Sequence, residues 1–196
     1  MMKRFALSCL LLALSATSAF LLAQREAAAG QSSPVVPKAS SVVKPQTFVS
    51  LAPVPRGKPF EIAVVADIAQ GYHVNSRHPT DAYLIATALT PQLPTGIQLV
   101  DTIYPDGRNQ TFTFSPDKPL NVYSGRVTLK LKLLAQPDAP TGALTIPMTL
   151  RYQACHDSTC LPPVKLPVEA KVDIGNANAK SHAAHPEVFA GEPASK

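Results

Sequence analysis

Apolar residues recur at every second position through much of the interval from Phe60 to Val172, the rhythm a half-buried β-strand imposes on its sequence. Phe60, Ile62, Val64, Ala66 and Ile68 form one face of a first strand, with Glu61 and Asp67 opposite. Ile97, Leu99 and Ile103 continue the pattern. Val127, Leu129, Leu131 and Leu133 alternate with Thr128, Lys130 and Lys132. Leu144, Ile146, Met148, Leu150 and Tyr152 are backed by Thr145, Thr149, Arg151 and Gln153. Val164, Leu166, Val168 and Val172 stand against Lys165, Glu169 and Lys171. Turns separate these runs at Pro94-Thr95-Gly96, at Pro105-Asp106-Gly107 and between Pro137 and Gly142. About seven short strands so punctuated predict an all-β fold, an antiparallel immunoglobulin-like β-sandwich. The 20 prolines against 9 glycines argue against long helices.

The flanks read differently. Lys3 and Arg4 precede an apolar stretch from Phe5 to about Ala23, with small residues at Ala16, Ser18 and Ala19, which is the build of an export signal. Residues 1–23 are therefore expected to be a signal peptide, or an uncleaved anchor in the inner membrane, since the stretch is about long enough to span a bilayer. Cys9 lies inside this apolar run as a small filler. Residues 24–45 are rich in Ala, Ser, Pro and Val without a sustained period and read as a linker. The folded domain is expected over 46–175, with a disordered tail over 176–196. His182 and His185 fall in that tail, where they read as incidental.

A net charge of +5 is spread over scattered lysines and arginines with no basic cluster beside aromatics, which argues against nucleic-acid binding. Export places the domain in an oxidising compartment, where thiol pairs form disulfides.

Cys155 and Cys160 are the two cysteines that follow the apolar segment. One ends a predicted strand and the other begins the next, with His156-Asp157-Ser158-Thr159 as a four-residue hairpin loop between them. Residues flanking such a loop face each other at about 4.5 to 5.5 Å between Cα atoms, within the span a disulfide tolerates. Alternation places Cys155 with Arg151 and Gln153, away from the core, so both sulfurs are expected to point outward or under a covering loop. As a staple the pair does little: closing so short a loop removes about 2 kcal/mol of unfolded-chain entropy, against about 4.7 for a 100-residue loop. An exposed short-loop disulfide is instead open to attack by a partner thiolate. His156 favours a thiolate when protonated and Asp157 opposes it. Cys155, His156, Asp157 and Cys160 are also metal-ligand types. Adjacent Cys and His on a strand end point apart, however, and no second cysteine pair completes a four-ligand set, so neither metal nor another cofactor is expected.

The run Tyr152-Gln153-Ala154-Cys155, four residues, then Cys160-Leu161-Pro162-Pro163 resembles the redox hairpin of the N-terminal domain of DsbD, the bacterial thiol:disulfide interchange protein family. Gly71-Tyr72-His73-Val74-Asn75, Leu84 to Leu89, Ile103-Tyr104-Pro105 and Val122 to Gly125 follow in the family's order, so the resemblance covers roughly residues 46–174. It implies a periplasmic dithiol/disulfide at Cys155 and Cys160. Such a pair receives electrons from a membrane-embedded thiol reductase and passes them to thioredoxin-fold partners, among them disulfide isomerases and cytochrome c maturation proteins. It also implies a cap loop at Thr111 to Pro116, with Phe112 or Phe114 shielding the pair. Two family tyrosines fall at His73 and Asn75, so any role of a phenol there is lost, and His73 becomes a candidate acid or base. Tyr152, His156 and Asp157 complete the near-site set. DsbD also carries an eight-helix membrane domain and a C-terminal thioredoxin domain, neither of which this sequence shows. A separate electron donor is therefore expected, or a domain adapted to another task.

Two functions follow. One is a thiol–disulfide exchange module, a redox carrier and only loosely an enzyme of the protein-disulfide reductase type. The other is a non-redox immunoglobulin-like binding module whose disulfide merely pins a hairpin.

Overall fold

A computed structural model describes residues 37–190. The expected export segment, the first part of the linker and the last six residues lie outside the described residues.

The strands are β1 (Val43–Val49), β2 (Leu51–Ala52), β3 (Val54–Pro55), β4 (Pro59–Ile68), β5 (His73–Asn75), β6 (Ala88–Pro91) and β7 (Ile97–Ile103). They continue with β8 (Arg108–Phe112), β9 (Ser115–Tyr123), β10 (Arg126–Ala135), β11 (Gly142–Tyr152), β12 (Ala154–Cys155), β13 (Val164–Gly175) and β14 (His182–Ala183). A single short helix, α1 (Pro186–Phe189), follows. All five runs that alternate in the sequence are strands, here β4, β7, β10, β11 and β13.

One sheet has the order β1-β4-β10-β7 and is antiparallel throughout. A second has the order β3-β13-β11-β6, in which only the short β3 runs parallel to its neighbour. The two enclose a core of Ile62 and Val64 from β4, Leu129, Leu131 and Leu133 from β10, Ile146, Met148 and Leu150 from β11, and Ala170, Val172 and Ile174 from β13. This is the immunoglobulin-like sandwich that the alternation predicts. Apolar side chains at every second position remove one face of each strand from water, at roughly 25 cal/mol per Å² buried. Gly96 closes the turn into β7 with φ +82°; a Cβ there would stand 2.5 Å from the Ala139 Cα. That turn therefore requires glycine.

A third, smaller ribbon has the order β12-β5-β9-β8 and carries the cysteine loop at one edge. The chain enters it by leaving the second sheet. β11 pairs with β13 as far as Tyr152–Val164, whereas Ala154 and Cys155 pair with Val74 and His73 of β5. Gln153 is the crossing residue, and its amide donates to the Leu161 carbonyl at 3.2 Å.

The boundaries differ from the expected ones at both ends. Ordered structure begins ahead of residue 46: a 3-10 turn spans Ala39–Ser41, and Val42 and Val43 are buried. β1 is an edge strand, which tolerates Pro45 and only partial burial, so no clear period marks it. At the other end, residues 176–190 are not structureless. His182 and Ala183 pair with Ala52 and Leu51, and the Ser181 hydroxyl donates to the Pro53 carbonyl at 2.7 Å. Val188 and Phe189 line a groove with Phe48, Val65 and Lys130, on the outer face of the first sheet. These are isolated contacts rather than a stripe, which is why periodicity does not announce them. Among the described residues, no helix is long and apolar enough to cross a membrane.

Candidate redox site

Cys155 and Cys160 are joined by a disulfide, with their Cα atoms 3.9 Å apart. That is closer than a facing pair in a regular ladder, because the two residues form an isolated bridge rather than part of one. The loop between them is closed by the His156 N–H donating to the Thr159 carbonyl at 2.8 Å. The Leu161 N–H donates to the Ala154 carbonyl at 2.8 Å just outside the bridge. Pro162 and Pro163 offer no N–H, and regular pairing resumes at Val164.

The two cysteines are not equivalent. Cys155 is 2% exposed, whereas Cys160 belongs to an exposed run from His156 onward. Of the two expected placements, outward or under a covering loop, Cys155 takes the second. Alternation runs on through Gln153, with Leu150, Tyr152 and Ala154 in the core, so Cys155 keeps the face of Arg151 and Gln153 but is covered there. Ala154 and Cys155 are consecutive and both buried, with Ala154 in the core and Cys155 set against β5.

Opposite Cys155 in register stands His73, 3% exposed. Its ring stacks on Phe112 with centroids 3.9 Å apart and planes 20° from parallel. Phe112 in turn stacks on Phe114 at 5.5 Å and 10°. Phe114 is also near-parallel to His73, at 6.4 Å and 11°, so the three rings form a bent cluster; Phe112 is half-buried and Phe114 is 42% exposed. Phe112 ends β8 and Ser115 begins β9, so Thr113 and Phe114 are the tip of a hairpin with Phe112 opposite Ser115. The segment expected to be a cap is this tip. The Thr113 hydroxyl donates to the Asp157 carbonyl and ties the tip to the cysteine loop. On the other side of that loop, the Tyr72 ring meets His156 edge-on at 5.4 Å. Gly71, with φ +79°, lies beside His156: a Cβ on it would stand 3.3 Å from the imidazole Nε2.

Burial holds the His73 imidazole neutral and lowers its pKa from 6.5 to about 4, opposed by the charge of Asp157 and reinforced by that of His156. Its Nε2 is buried without a hydrogen-bond partner.

The remaining near-site candidates are occupied elsewhere. The Asn75 amide donates to the Ile85 carbonyl at 3.1 Å, and its own carbonyl accepts from the Thr87 hydroxyl at 2.6 Å, so it fastens the loop after β5. Tyr152 is buried in the core and its hydroxyl donates to the Ala39 carbonyl at 2.9 Å, away from the disulfide. Thr113 and Tyr72 were not singled out from sequence. Tyr72 lay within the Gly71–Asn75 run that did stand out; Thr113 had no signal beyond its place between the two phenylalanines. Among the described residues, no group of three or more His, Cys, Asp or Glu is placed to hold a metal ion.

The sequence model of the N-terminal region of the thiol:disulfide interchange protein DsbD matches residues 39–170. The chain belongs to the DsbD N-terminal domain family. That match starts at the 3-10 turn, in line with the early onset of ordered structure. The reduced DsbD N-terminal domain of Neisseria meningitidis is 15% identical, aligns over 76% of this chain and 94% of its own, and gives a TM-score of 0.45. The same organism's DsbD N-terminal domain, in complex with the PilB N-terminal domain, is 16% identical over 69% of this chain and 87% of its own at 0.43. The N-terminal periplasmic domain of ScsB from Proteus mirabilis is 13% identical over 76% of this chain and 51% of its own at 0.48. No curated protein sequence matches the chain. Family membership together with the Cys155–Cys160 disulfide supports a thiol–disulfide interchange module.

Proposed function

We propose that this DsbD N-terminal-type domain is a periplasmic redox carrier. It takes reducing equivalents from a membrane-embedded thiol reductase and delivers them to thioredoxin-fold proteins of the periplasm. The observation that carries this reading is the asymmetry of the disulfide: one sulfur belongs to a buried residue and the other to an exposed one. Exchange needs one sulfur that a partner thiolate can reach in line and a second that leaves and later returns. Cys160 fits the first role and Cys155 the second.

In the reducing half-reaction, a donor thiolate attacks the Cys160 sulfur, the S–S bond breaks, and Cys155 leaves as a thiolate and takes up a proton. The donor's second thiolate then attacks its own sulfur in the mixed disulfide and expels the Cys160 thiolate. In the delivering half-reaction, Cys160 attacks the acceptor's disulfide, and Cys155 attacks Cys160 to release a reduced acceptor. Phe112 and Phe114 act as the cap that slows small thiols, while a protein partner displaces the hairpin tip.

The pair should be reduced by millimolar dithiothreitol in the folded protein, read as a mass shift after alkylation. Its potential should lie near about −200 mV, as in exchange proteins, rather than below about −300 mV, as in structural bonds. A bond that withstands that reductant would leave a pinned hairpin in a binding module.

A further inference from the structure

Three features meet at His73. It is opposite Cys155 across the β5–β12 pair, and residues directly opposed in a ladder project to the same face with Cβ atoms about 4.5–5.5 Å apart. One side of its ring is closed by Phe112. Its Nε2 is buried with no partner, which is unusual for a polar atom inside a protein. In the disulfide form Cys155 has no proton to offer; reduction creates an S–H group on the face that the His73 ring shares.

We infer that the Nε2 of His73 accepts the proton of the Cys155 thiol as this sulfur attacks Cys160 and releases the acceptor protein. The inference rests on the exchange reading above and assigns a proton path to its second step. The Cys155 S–H bond breaks and the proton passes to Nε2, while the Cys155–Cys160 bond forms and the bond from Cys160 to the partner breaks. The partner leaves as a thiolate and gains the proton by way of His73 and water. The two electrons lost by the cysteine pair are those gained by the partner's disulfide. In reverse, the imidazolium returns the proton to Cys155 as that sulfur leaves.

A buried thiol needs such an acceptor, because burial disfavours its thiolate and the exchange nucleophile is the thiolate. Burial keeps His73 neutral near pH 7, so Nε2 is free to accept. Once it does, the new thiolate and the nearby Asp157 stabilise the imidazolium, and His156 opposes it. Phe112 brings no charge from the cap side.

The test uses the reduced protein and 5,5′-dithiobis(2-nitrobenzoate), mixed rapidly. Attack by Cys160 releases one equivalent of nitrothiobenzoate in a concentration-dependent phase. Resolution by Cys155 releases the second in a concentration-independent phase. His73→Phe, which keeps the stack, should leave the first phase within about twofold and slow the second at least about tenfold near neutrality. The deficit should close only above the ordinary thiol value of about 8.5, where hydroxide deprotonates even a buried thiol directly. His73→Gln, polar but not basic, should behave likewise and serves if the Phe variant folds poorly. A second phase that is unchanged in both variants, or slowed equally at every pH, overturns the proton-accepting role. A wild-type protein that never shows a second phase overturns the exchange reading itself, and this inference with it.

Discussion

The two broad sheets and the small β12-β5-β9-β8 ribbon are built on opposite terms. In the sheets, the inward positions of β4, β10, β11 and β13 are apolar, and most are almost fully buried. The ribbon and the loop that follows β5 hold His73, Asn75, Ser76 and Thr87, the buried polar residues among those described. Apart from β9 its strands are short, and the aromatic cluster that covers Cys155's neighbour is open to water at Phe114. A long-stranded, dry core supplies stability without chemistry. A buried polar group has to be hydrogen-bonded or used, and Asn75 and Thr87 are bonded while the Nε2 of His73 is not. The frame is thus separable from the site: changes in the first should unfold the domain, and changes in the second should alter exchange.

The largest contrast is expected between the two cysteines. Cys155→Ala leaves an exposed Cys160 with no resolving thiol, so a mixed disulfide with a thioredoxin-fold periplasmic protein should accumulate on a non-reducing gel. Cys160→Ala leaves a buried thiol and should trap far less. Adducts mainly through Cys155 would invert the roles. None from either variant would favour a passive binding module.

Next in size is frame against cap. Leu131 is fully buried in β10, and Leu131→Ala should cost about 2–5 kcal/mol in chemical denaturation. It should leave the rate of reduction by glutathione unchanged in conditions where the domain stays folded. Replacing both Phe112 and Phe114 with Ala should cost about 1–2 kcal/mol, because one ring is half-buried and the other 42% exposed. The same double change should raise the glutathione rate severalfold. A stability loss as large as that of Leu131→Ala with no change in rate would mean that both rings belong to the frame.

The frame was legible for a physical reason and the site only in part. β4, β10 and β11 each bury one face along most of their length, so Ile62-Val64, Leu129-Leu131-Leu133 and Ile146-Met148-Leu150 print their geometry in the sequence. The cysteine pair and the two phenylalanines stood out through their spacing and their likeness to a known hairpin. The choice between an open and a covered Cys155 did not, since alternation sets it off the core face, with Leu150, Tyr152 and Ala154 opposite, but says nothing of what packs on its own face. Nor did the fastening roles of Asn75 and Tyr152, which depend on carbonyls of Ile85 and Ala39 that no local pattern brings near. β1 and the segment from His182 to Phe189 were hidden because edge strands and docked tails are held by a few contacts rather than by a period.

Acid also separates the two regions. The folded domain holds His73 neutral down to about pH 4, while an ordinary histidine takes up a proton near 6.5. Between those values the unfolded chain binds a proton that the folded one does not, so His73 lowers stability as the pH falls through that window, and its effect levels off below it. Its full extent is about 3 kcal/mol. Denaturation midpoints measured near neutrality and near the lower end of the window should therefore lie further apart in the wild type than in His73→Phe. Equal separation would mean that the ring is hydrated in solution and that Nε2 is not isolated.

The finest distinction concerns what holds the hairpin tip against the cysteine loop. The Thr113 hydroxyl joins the hairpin tip to the Asp157 carbonyl in the cysteine loop, and this is a bond between two exposed residues. Its net worth should sit near the lower end of the usual range, about 0.5 kcal/mol. Thr113→Val keeps the shape and removes the donor, so global stability should barely move. If attack by a small thiol requires the tip to lift, the same free energy shifts the lifted population and the glutathione rate by about twofold. Combination with the Ala replacements of Phe112 and Phe114 separates the possibilities. If hydroxyl and rings act through one closing motion, Thr113→Val should add nothing once the rings are gone, and the cycle should show coupling of the size of its own effect. Independent, additive changes in rate would mean that the bond steadies the cysteine loop rather than the cap, so that the loop and the hairpin tip move separately.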